Sequence, residues 1–351
     1  MLPGSRGRPL VPPVEGPTIG TYPGPAPHSG TVSPGIVVFG ANSLVGSDFV
    51  VEATPRFPIT AAGRTDPRTR GLPVRRFQAL DLSGEAEVRA FLASRADDEA
   101  WVNFAARTDV DGCEAERPQD SVDTALVDRP DTAWRINAAL PGWISEEAHR
   151  KGVPFLHISS DFVFDGSRGP YPEEADPSPL SRRLSWYGYT KGAGEDRVRS
   201  AGGPFAILRI SYPYRTAFPS STDFARNLLD RAQTGRLNPL YSDQVVTPTW
   251  IPDVSRALLT LLDTHATGVF HVASPAPTTP LEFAGELFRV FRVGSGPLPR
   301  TKLAEQPLGP HVTPRPLYGG LGVRRLVEMG VVPTGWRDGI LRMAAAQESP
   351  H

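Results

Sequence analysis

The sequence predicts an α/β fold: a doubly wound parallel sheet followed by a smaller C-terminal α/β lobe. Two observations carry this prediction. From residue 35 onward, four short apolar runs alternate with helical stretches, as in a sheet whose parallel strands are joined by helices. After residue 210 the alternation becomes irregular, which indicates a second lobe. A chain of 351 residues is long enough to divide its core between two lobes.

The first apolar run, residues 35–39, is followed by a tight turn and an apolar-periodic stretch at residues 44–51. This pattern predicts a strand, a turn and a helix start whose backbone N–H groups face a pyrophosphate, with glycine allowing close approach. The turn differs from the G-x-x-G-x-x-G pattern because a serine replaces the middle glycine. An ordinary strand, turn and helix without a bound pyrophosphate is therefore kept as an alternative. The candidate cofactor-binding residues of this turn are Gly40, Asn42, Ser43, Leu44, Val45 and Gly46.

The second predicted strand, residues 58–62, ends in Gly63 and Arg64 rather than in the acidic residue that accepts hydrogen bonds from a ribose 2′-hydroxyl. An arginine suits a 2′-phosphate, because its guanidinium pairs with phosphate oxygens. Arg64 therefore favours NADP (NADPH) over NAD as the cofactor. NAD is kept as the alternative, since an arginine after a strand is also common on protein surfaces.

Two further strands complete the predicted cofactor-binding half. Residues 74–80 form the third strand, and Asp81 and Leu82 at its end are where an adenine edge would be held. Residues 101–106 contain the fourth, and the small side chains of Ala105 and Ala106 allow a flat cofactor to lie against the backbone. The four strands together predict a Rossmann-type sheet.

Tyr187 and Lys191 are four residues apart and share one face of a predicted helix. A nearby ammonium favours the phenolate, so we expect Lys191 to lower the pKa of Tyr187 from its reference value of about 10. Tyr187 would then exchange a proton with a substrate oxygen near neutral pH. Together with the pyrophosphate-binding turn, this pair predicts a site for hydride transfer.

Composition argues against several classes of function. A formal net charge of −1 offers no overall attraction to nucleic acid or to acidic membranes. Cys113 is the single cysteine, so it has no partner for an internal disulfide, and the seven histidines show no paired metal-ligand spacing, which predicts no metal site. No apolar run approaches the roughly 20 residues that span a bilayer. We expect a cytoplasmic protein, with residues 1–34 as a disordered leader rich in proline and glycine.

Six stretches of the chain carry a family resemblance: NFAARTDVD (103–111), HISSDFVFDG (157–166), PYPEEAD (170–176), YGYTK (187–191) with Gly194-Glu195, DQVVTPT (243–249) and WRDG (336–339). In this order they resemble the extended short-chain dehydrogenase/reductase superfamily and, more narrowly, the dTDP-4-dehydrorhamnose reductases. The resemblance runs from about residue 35 to residue 342. It implies an NAD(P)-binding Rossmann domain over residues 35–210 with a return segment at about 241–273, and a substrate-binding lobe over residues 211–240 and 274–345.

The resemblance also implies a catalytic set of Ser160, Tyr187 and Lys191. Ser160 would hydrogen-bond the substrate carbonyl, Tyr187 would give a proton to the new alkoxide, and Lys191 would bind the nicotinamide ribose. For Ser160 the alternative is a strand end packed by small residues. Asn137 matches a helix asparagine that supports the lysine through water, and Thr108 is a further cofactor-binding position. The substrate-binding residues would be Ser160, Asp161, Phe162, Tyr212 and Gln244.

Three departures from the family pattern bear on the substrate. Asp223 stands where the family often has asparagine, and its carboxylate would repel a diphosphate. Residues 114–131 form a longer acidic stretch than the family usually has, and residues 181–183 are inserted before the catalytic helix. Arg182 or Arg183 could offer a cationic contact to a diphosphate. The alternative is that both insertions are surface loops without a function.

The function implied is that of an NADPH-dependent reductase acting on the 4-keto group of a deoxysugar nucleotide, with the sugar nucleotide as partner. One alternative is a non-catalytic regulatory subunit similar to the beta subunit of methionine adenosyltransferase, which shares the Ile-Ser-Ser-Asp run. Another is a sugar-nucleotide epimerase or dehydratase. A dehydratase is expected to carry acid and base carboxylates beside the active-site hydroxyl, and Asp161 is the only obvious neighbour. A homodimer is also left open.

Overall fold

The computed structural model describes residues 20–21, 34–96, 99–118, 132–177, 183–216, 222–294, 296–307 and 312–348. The strands in these ranges are β1 (Gly20–Thr21), β2 (Ile36–Phe39), β3 (Ile59–Gly63), β4 (Arg76–Ala79), β5 (Ala100–Asn103), β6 (Phe155–Ser160), β7 (Phe205–Ile210), β8 (Leu240–Tyr241), β9 (Ala266–Val272) and β10 (Arg300–Thr301).

The helices of the same ranges are α1 (Leu44–Ala53), α2 (Glu85–Ala93), α3 (Val110–Glu114), α4 (Thr132–Trp134), α5 (Leu140–Lys151), α6 (Trp186–Ala201), α7 (Phe224–Gln233), α8 (Ile251–Thr264), α9 (Pro280–Phe291), α10 (Arg324–Glu328) and α11 (Trp336–Glu348). A π-helical turn (Arg135–Ala139) joins α4 to α5. None of the described helices is long and apolar enough to cross a bilayer.

Eight strands form one sheet in the order β4-β3-β2-β5-β6-β7-β9-β1. All neighbouring pairs from β4 to β9 are parallel, and only β1 runs antiparallel to its neighbour. The chain moves outward from β2 to β4, then returns to the other side of β2 with β5. This reversal between β2 and β5 opens a crevice at the carboxyl ends of the strands, where doubly wound sheets bind ligands. The predicted α/β fold class is confirmed.

The sheet is covered on both faces, which explains why its central strands are apolar throughout. On β2, Ile36 and Val38 point into one core cluster, with residues of α1 and α8. Val37 and Phe39 point into the other, with residues of α2, α5 and α6. Alternate residues of a strand face opposite sides of a sheet, so four successive apolar residues are required here.

The smaller lobe has its own core, built from α7, α9 and α11. Four aromatic side chains lie at its centre: Tyr214, Trp250, Phe283 and Trp336. Strands β8 and β10 form a separate two-stranded parallel sheet beside them. Residues 240–241 thus pair within the small lobe, whereas β9, from the same predicted return segment, joins the main sheet. The division into domains stays a prediction.

Most of the predicted leader, and most of the predicted insertions at 114–131 and 181–183, lies outside the described residues. One part of the leader departs from the prediction of disorder. Gly20 and Thr21 pair antiparallel with Thr267 and Ala266 on the outer edge of the sheet. The edge strand β9 offers unpaired backbone groups, and a short extended segment satisfies some of them without a hydrophobic side chain.

Candidate active site

A cavity of about 370 Å³ lies at the carboxyl ends of β2, β5, β6 and β7, beside the reversal in strand order. The predicted residues that line it are Ser43, Leu44, Val45, Ala106, Thr108, Ser160, Asp161, Phe162, Tyr187, Lys191 and Tyr212. Predicted residues outside this lining are Gly40, Asn42, Gly46, Arg64, Asp81, Leu82, Ala105, Asn137 and Gln244. The chain thus brings together residues that are up to 169 positions apart, from Ser43 to Tyr212.

The turn after β2 leaves no room for side chains at its two glycines. Gly40 has a φ of 77°, and a Cβ there would lie 2.6 Å from the backbone nitrogen of Ala105. A Cβ on Gly46 would meet the carbonyl oxygen of Gly40 and lie 2.8 Å from Ser43 Oγ. The two glycines therefore let the turn, called the cradle below, pack closely against β5 and the start of α1, and a helix N-terminus with bare backbone around it suits an anionic ligand.

Ser43, at the position of the missing middle glycine, is the N-cap of α1. Its backbone is extended, with φ −69° and ψ 163°, so no glycine is needed there. Its Oγ accepts a hydrogen bond from Gly46 N at 3.0 Å. Serine is a preferred N-cap residue, and this cap uses one N–H of the first turn. Leu44 and Val45 still face the cavity.

The ends of β3 and β4 carry the residues predicted to bind the adenosine half. Asp81 accepts hydrogen bonds from Ser83 N at 3.0 Å and from Ser83 Oγ at 2.8 Å. These bonds lower the pKa of Asp81, with smaller contributions from Arg64 and Arg135. Arg64 is exposed, and its influence on Asp81 indicates that the two side chains are close. Asn42 donates to the carbonyl of Thr65 at 2.7 Å, which ties the β2 turn to the end of β3.

Tyr187 and Lys191 lie in the first half of α6, a helix that begins after the N-cap Ser185. The Lys191 side chain is buried, and its Nζ donates to the carbonyl of Ile158 at 2.7 Å. Ser160, the last residue of β6, lines the same cavity as Tyr187. The phenol, the hydroxyl and the amine thus line one wall of the cavity.

The expectation that Lys191 lowers the pKa of Tyr187 is wrong for this structure. Burial raises the pKa of Tyr187 far above its usual value, Asp161 and Cys113 raise it further, and only the hydrogen bond with Ser160 lowers it. The sequence shows the spacing of the two residues but not how deeply the phenol is buried. Burial also lowers the pKa of Lys191 to about 8, against the opposing charge of Glu195.

Asp161 follows Ser160 and is buried, with its carboxylate directed at hydroxyl groups. Oδ1 accepts from Ser160 Oγ at 3.1 Å, and Oδ2 accepts from Ser211 Oγ at 2.6 Å. Burial raises the pKa of Asp161 to about 6, although both serine hydrogen bonds lower it. This carboxylate joins the ends of β6 and β7, and it fixes the Ser160 hydroxyl beside Tyr187.

A buried ion pair lies behind Lys191. Glu195, one turn further along α6, accepts from Arg209 Nε at 2.9 Å and from Nη2 at 2.7 Å, and both side chains are fully buried. Burial raises the pKa of Glu195, but Arg209 and Arg199 more than offset this effect and bring the pKa to about 2. The pair fastens α6 to β7.

Asn137 lies in the π-helical turn and bridges two segments next to the catalytic helix. Its Oδ1 accepts from Arg107 N at 2.9 Å, and its Nδ2 donates to the Arg107 carbonyl at 3.0 Å and to Thr190 Oγ1 at 3.2 Å. Its side-chain amide is therefore committed to these partners. Its predicted support of Lys191 through water stays a prediction.

Three aromatic side chains, Phe162, Tyr212 and Phe224, form an aromatic wall that continues from Tyr187. Tyr212 has a φ of 43°, an uncommon value for a residue other than glycine, and it contacts Phe224 edge-on with ring centroids 4.9 Å apart. Gln244 Nε2 donates to Tyr212 Oη at 3.1 Å, so Gln244 orients the tyrosine from behind. Phe162 lies edge-on to Tyr187 at 5.6 Å between centroids.

Asp223 lines the cavity, where its carboxylate was predicted to repel a diphosphate. Its contacts instead pair the carboxylate within the protein. Its carboxylate is paired with the guanidinium of Arg226 and caps α7 through Arg226 N at 2.9 Å. It also accepts from Arg215 N at 3.3 Å. The negative charge is therefore largely compensated within the small lobe.

Sequence reasoning missed Arg315, which lines the cavity from the small lobe. Apart from Lys191, it is the one cationic side chain among the lining residues. Its Nη2 lies 2.9 Å and 3.1 Å from the two carboxylate oxygens of Asp111 on α3. The flanking residues Pro314 and Pro316 do not indicate a position at a cavity. Other lining residues that the sequence did not single out include Thr222, Phe224 and Asn227.

The first turn of α6 is held by the segment that follows α3. Glu114 Oε2 accepts from Trp186 N at 2.6 Å, and Arg117 Nη2 donates to the Leu184 carbonyl at 2.6 Å. Glu116 Oε2 accepts from Ala133 N at 2.9 Å, at the start of α4. Both ends of the chain between α3 and α4 are thereby fastened next to Tyr187. Of the predicted insertion 181–183, only Arg183 is described, and it does not line the cavity.

Among the described residues, no group of three potential metal ligands lies close enough to hold an ion. The crevice, the glycine cradle and the serine, tyrosine and lysine at one wall define the class: an extended short-chain dehydrogenase/reductase. The chain belongs to the RmlD substrate binding domain family, since the model of that family matches residues 35–349. The predicted resemblance is confirmed.

Three relatives of known name illustrate the family. The chain is 32% identical over 259 residues to the probable low-salt glycan biosynthesis reductase Agl14 of Haloferax volcanii, covering 72% of this chain and 79% of the relative. It is 28% identical over 268 residues to a dTDP-4-dehydrorhamnose reductase of Mycolicibacterium smegmatis, covering 76% and 75%. It is also 29% identical over 262 residues to methionine adenosyltransferase 2 subunit beta of Xenopus laevis, covering 73% and 72%.

A solved structure shares the fold. The dTDP-4-dehydrorhamnose reductase from Bacillus anthracis, crystallised in complex with NADP, aligns with a TM-score of 0.71 and 23% identity over 90% of this chain and 99% of its own. At this identity the likeness concerns the fold.

Proposed function

We propose that this protein is an NADPH-dependent reductase that converts a keto group of a deoxysugar nucleotide, of the 4-keto type, into a hydroxyl. One observation carries the proposal: Ser160, Tyr187 and Lys191 line the same cavity as the first turn of α1. The first three residues serve proton transfer to a carbonyl oxygen, and the turn serves a pyrophosphate. The names of the relatives that are reductases support this reading.

The residues of the turn fit a dinucleotide. A Cβ on Gly40 or Gly46 would collide with the backbone of the turn or of Ala105 and displace the turn, and Leu44 and Val45 place the start of α1 at the cavity. Arg64, at the end of β3, would contact the 2′-phosphate, which supports NADPH as the cofactor. When bound, this cofactor supplies the hydride.

The side chains of the chain would supply the remaining chemistry. The Ser160 hydroxyl donates to Asp161 in this structure, and it would turn its single O–H to the carbonyl oxygen when the substrate binds. Tyr187 would give its proton to the same oxygen as negative charge develops there. Its high pKa in the buried site keeps it protonated until that charge appears, which suits an acid rather than a base. Lys191 would bind the nicotinamide ribose and return a proton to Tyr187.

The aromatic wall of Phe162, Tyr212 and Phe224 would select the sugar nucleotide. Tyr212 and Phe162 offer aromatic faces to a deoxysugar, whose missing hydroxyl leaves it partly apolar. Two cationic side chains line the cavity, and Lys191 belongs to the catalytic set. Arg315 is the other one, and it would contact the diphosphate. Phe224 and Asn227 at the start of α7 would contact the nucleotide base.

The contacts of Asp161 argue against a dehydratase. Both of its carboxylate oxygens already accept hydrogen bonds from serine hydroxyls, so it is poorly placed to act as acid or base on the sugar. The regulatory alternative is supported by the related beta subunit from Xenopus laevis. It differs from the reductase in one measurable respect, since it predicts cofactor binding without turnover.

The test is absorbance at 340 nm with the purified full chain, NADPH and a dTDP-4-keto-6-deoxysugar. Oxidation of NADPH that depends on the sugar nucleotide would support the reductase. NADPH binding without oxidation, across dTDP-, UDP- and GDP-linked keto sugars, would contradict it and favour the regulatory alternative. An absence of NADPH binding would contradict the proposed role of the cradle itself.

A further inference from the structure

Three buried polar side chains lie end to end beneath the cavity: Asn103 on β5, His157 on β6 and Lys191 on α6. Asn103 and His157 are register partners on neighbouring strands, and Asn103 Nδ2 lies 3.2 Å from His157 Nδ1. His157 Nε2 lies 3.4 Å from Lys191 Nζ. All three side chains are at most 1% exposed, so water does not compete for these contacts.

The orientation of Asn103 fixes the tautomer of the histidine. Asn103 Oδ1 accepts a hydrogen bond from Ala105 N at 3.0 Å, so the amide must turn its NH₂ group toward His157. His157 Nδ1 must then accept, and the single proton of the neutral imidazole lies on Nε2. Burial and the nearby Lys191 hold the pKa of His157 well below its usual value, so the ring does not take a second proton.

This tautomer acts on Lys191. The Nε2–H group points at Nζ, which already donates to the Ile158 carbonyl. A neutral amine can accept the Nε2–H hydrogen bond, whereas an ammonium has no lone pair and would place two donors against each other. Besides His157, the charged group that acts on Lys191 is Glu195, which favours the ammonium. The ionisable groups that share the cavity lining with it on this side are Tyr187 of α6 and Asp161 at the end of β6. The histidine therefore opposes Glu195.

We propose that Asn103 and His157 are positioning residues that weaken the hold of Lys191 on its proton, so that Lys191 exchanges this proton during turnover instead of staying a permanent cation. The inference rests on the proposed reductase function. After Tyr187 gives its proton to the substrate oxygen, one proton passes from the Lys191 ammonium to the Tyr187 phenolate, so that the phenol is restored and Lys191 becomes a neutral amine. His157 Nε2–H then donates to that amine, and solvent later returns one proton to it.

The tautomer can be observed without any turnover. In ¹⁵N spectra of the full chain, with the His157 signals assigned by their loss in His157→Gln, we expect an unprotonated Nδ1 and a protonated Nε2 from pH 6 to 9. Asn103→Asp should reverse this pattern, because a carboxylate accepts from Nδ1–H. A wild-type His157 protonated on Nδ1 would overturn the inference, whether or not the protein is a reductase.

The pH profile of kcat/KM for the active enzyme tests the consequence. In His157→Gln the amide oxygen can accept from the ammonium, so the inflection assigned to Lys191 should move up by about one pH unit. Asn103→Asp should also raise the pH of this inflection, and part of this effect comes from the added negative charge, which favours the ammonium. A fall in kcat/KM with an unmoved inflection in both variants would mean that the two residues serve packing alone, and would overturn the proposal.

Discussion

The guanidinium of Arg315 and the carboxylate of Asp111 form an ion pair at the cavity, with Nη2 2.9 Å from Oδ1. The two residues are 204 positions apart. The Asp111 side chain is 68% exposed, and an exposed ion pair contributes little free energy. A phosphate that enters the cavity can therefore replace Asp111 as the partner of Arg315.

We expect Arg315→Ala to raise KM for the sugar nucleotide about tenfold or more, with a smaller change in kcat, because it removes a charge-assisted contact to the diphosphate. Steady-state kinetics would measure this. Arg300→Ala, an exposed arginine of the small lobe that is outside the cavity lining, is the matched control and should leave KM unchanged. An unaltered KM in Arg315→Ala would contradict the assignment.

Tyr187→Phe should lower kcat by at least about a hundredfold, because it removes the proton donor. The affinity for NADPH, followed by fluorescence titration, should stay nearly the same, since the ring still fills its place beside Phe162. Tyr189→Phe is the control two positions away. Tyr189 is stacked on Trp186 outside the cavity lining, and its variant should retain turnover. Comparable activity in both variants would remove Tyr187 from the mechanism.

Arg64→Ala should weaken NADPH binding about tenfold and leave NADH binding unchanged, because only NADPH carries the 2′-phosphate. Calorimetric titration of both cofactors gives the ratio of the two affinities. Arg70→Ala, another exposed arginine of the same connection, serves as the control. A protein that already prefers NADH would refute the choice of cofactor.

Gly46→Ala should lower the stability of the protein by about 1–3 kcal/mol, because its methyl group would overlap the Gly40 carbonyl. It should also weaken cofactor binding by displacing the turn. Gly285→Ala on α9 is the opposite case. No atom lies within 4 Å of its added Cβ, so thermal unfolding should show a slight gain in stability. Equal melting temperatures for the two variants would show that the cradle is not tightly packed.

The buried Glu195–Arg209 pair predicts that the free energy of unfolding decreases at acid pH. The pKa of Glu195 is depressed in the folded state to about 2, so its ionised form stabilises the fold above the unfolded pKa. This contribution, on the order of 3 kcal/mol, is lost as pH falls from about 5 toward 2. Denaturant unfolding across this range should show a weaker pH dependence in Glu195→Gln. An unchanged slope would assign acid sensitivity to other carboxyl groups.

The parts of the site that depend on local spacing were predictable. The Gly40 turn and the Tyr187–Lys191 pair each lie within one strand, turn or helix, so the sequence shows their geometry directly. Arg315 was not predictable, because its place at the cavity depends on how the small lobe returns to the sheet. The degree of burial was not predictable either. Burial raises the pKa of Tyr187 where the sequence predicts a lower one, and it keeps His157 neutral, so that its single ring proton determines its hydrogen bonds.

The hydrogen bonds on both sides of the α3–α4 connection hold the first turn of α6 from residues that flank the connection. Glu114 and Glu116 bind Trp186 and Ala133, so the length of the intervening chain is not transmitted to Tyr187. We therefore expect an epitope or a fluorescent label inserted between these anchors to leave the register of α6 unchanged.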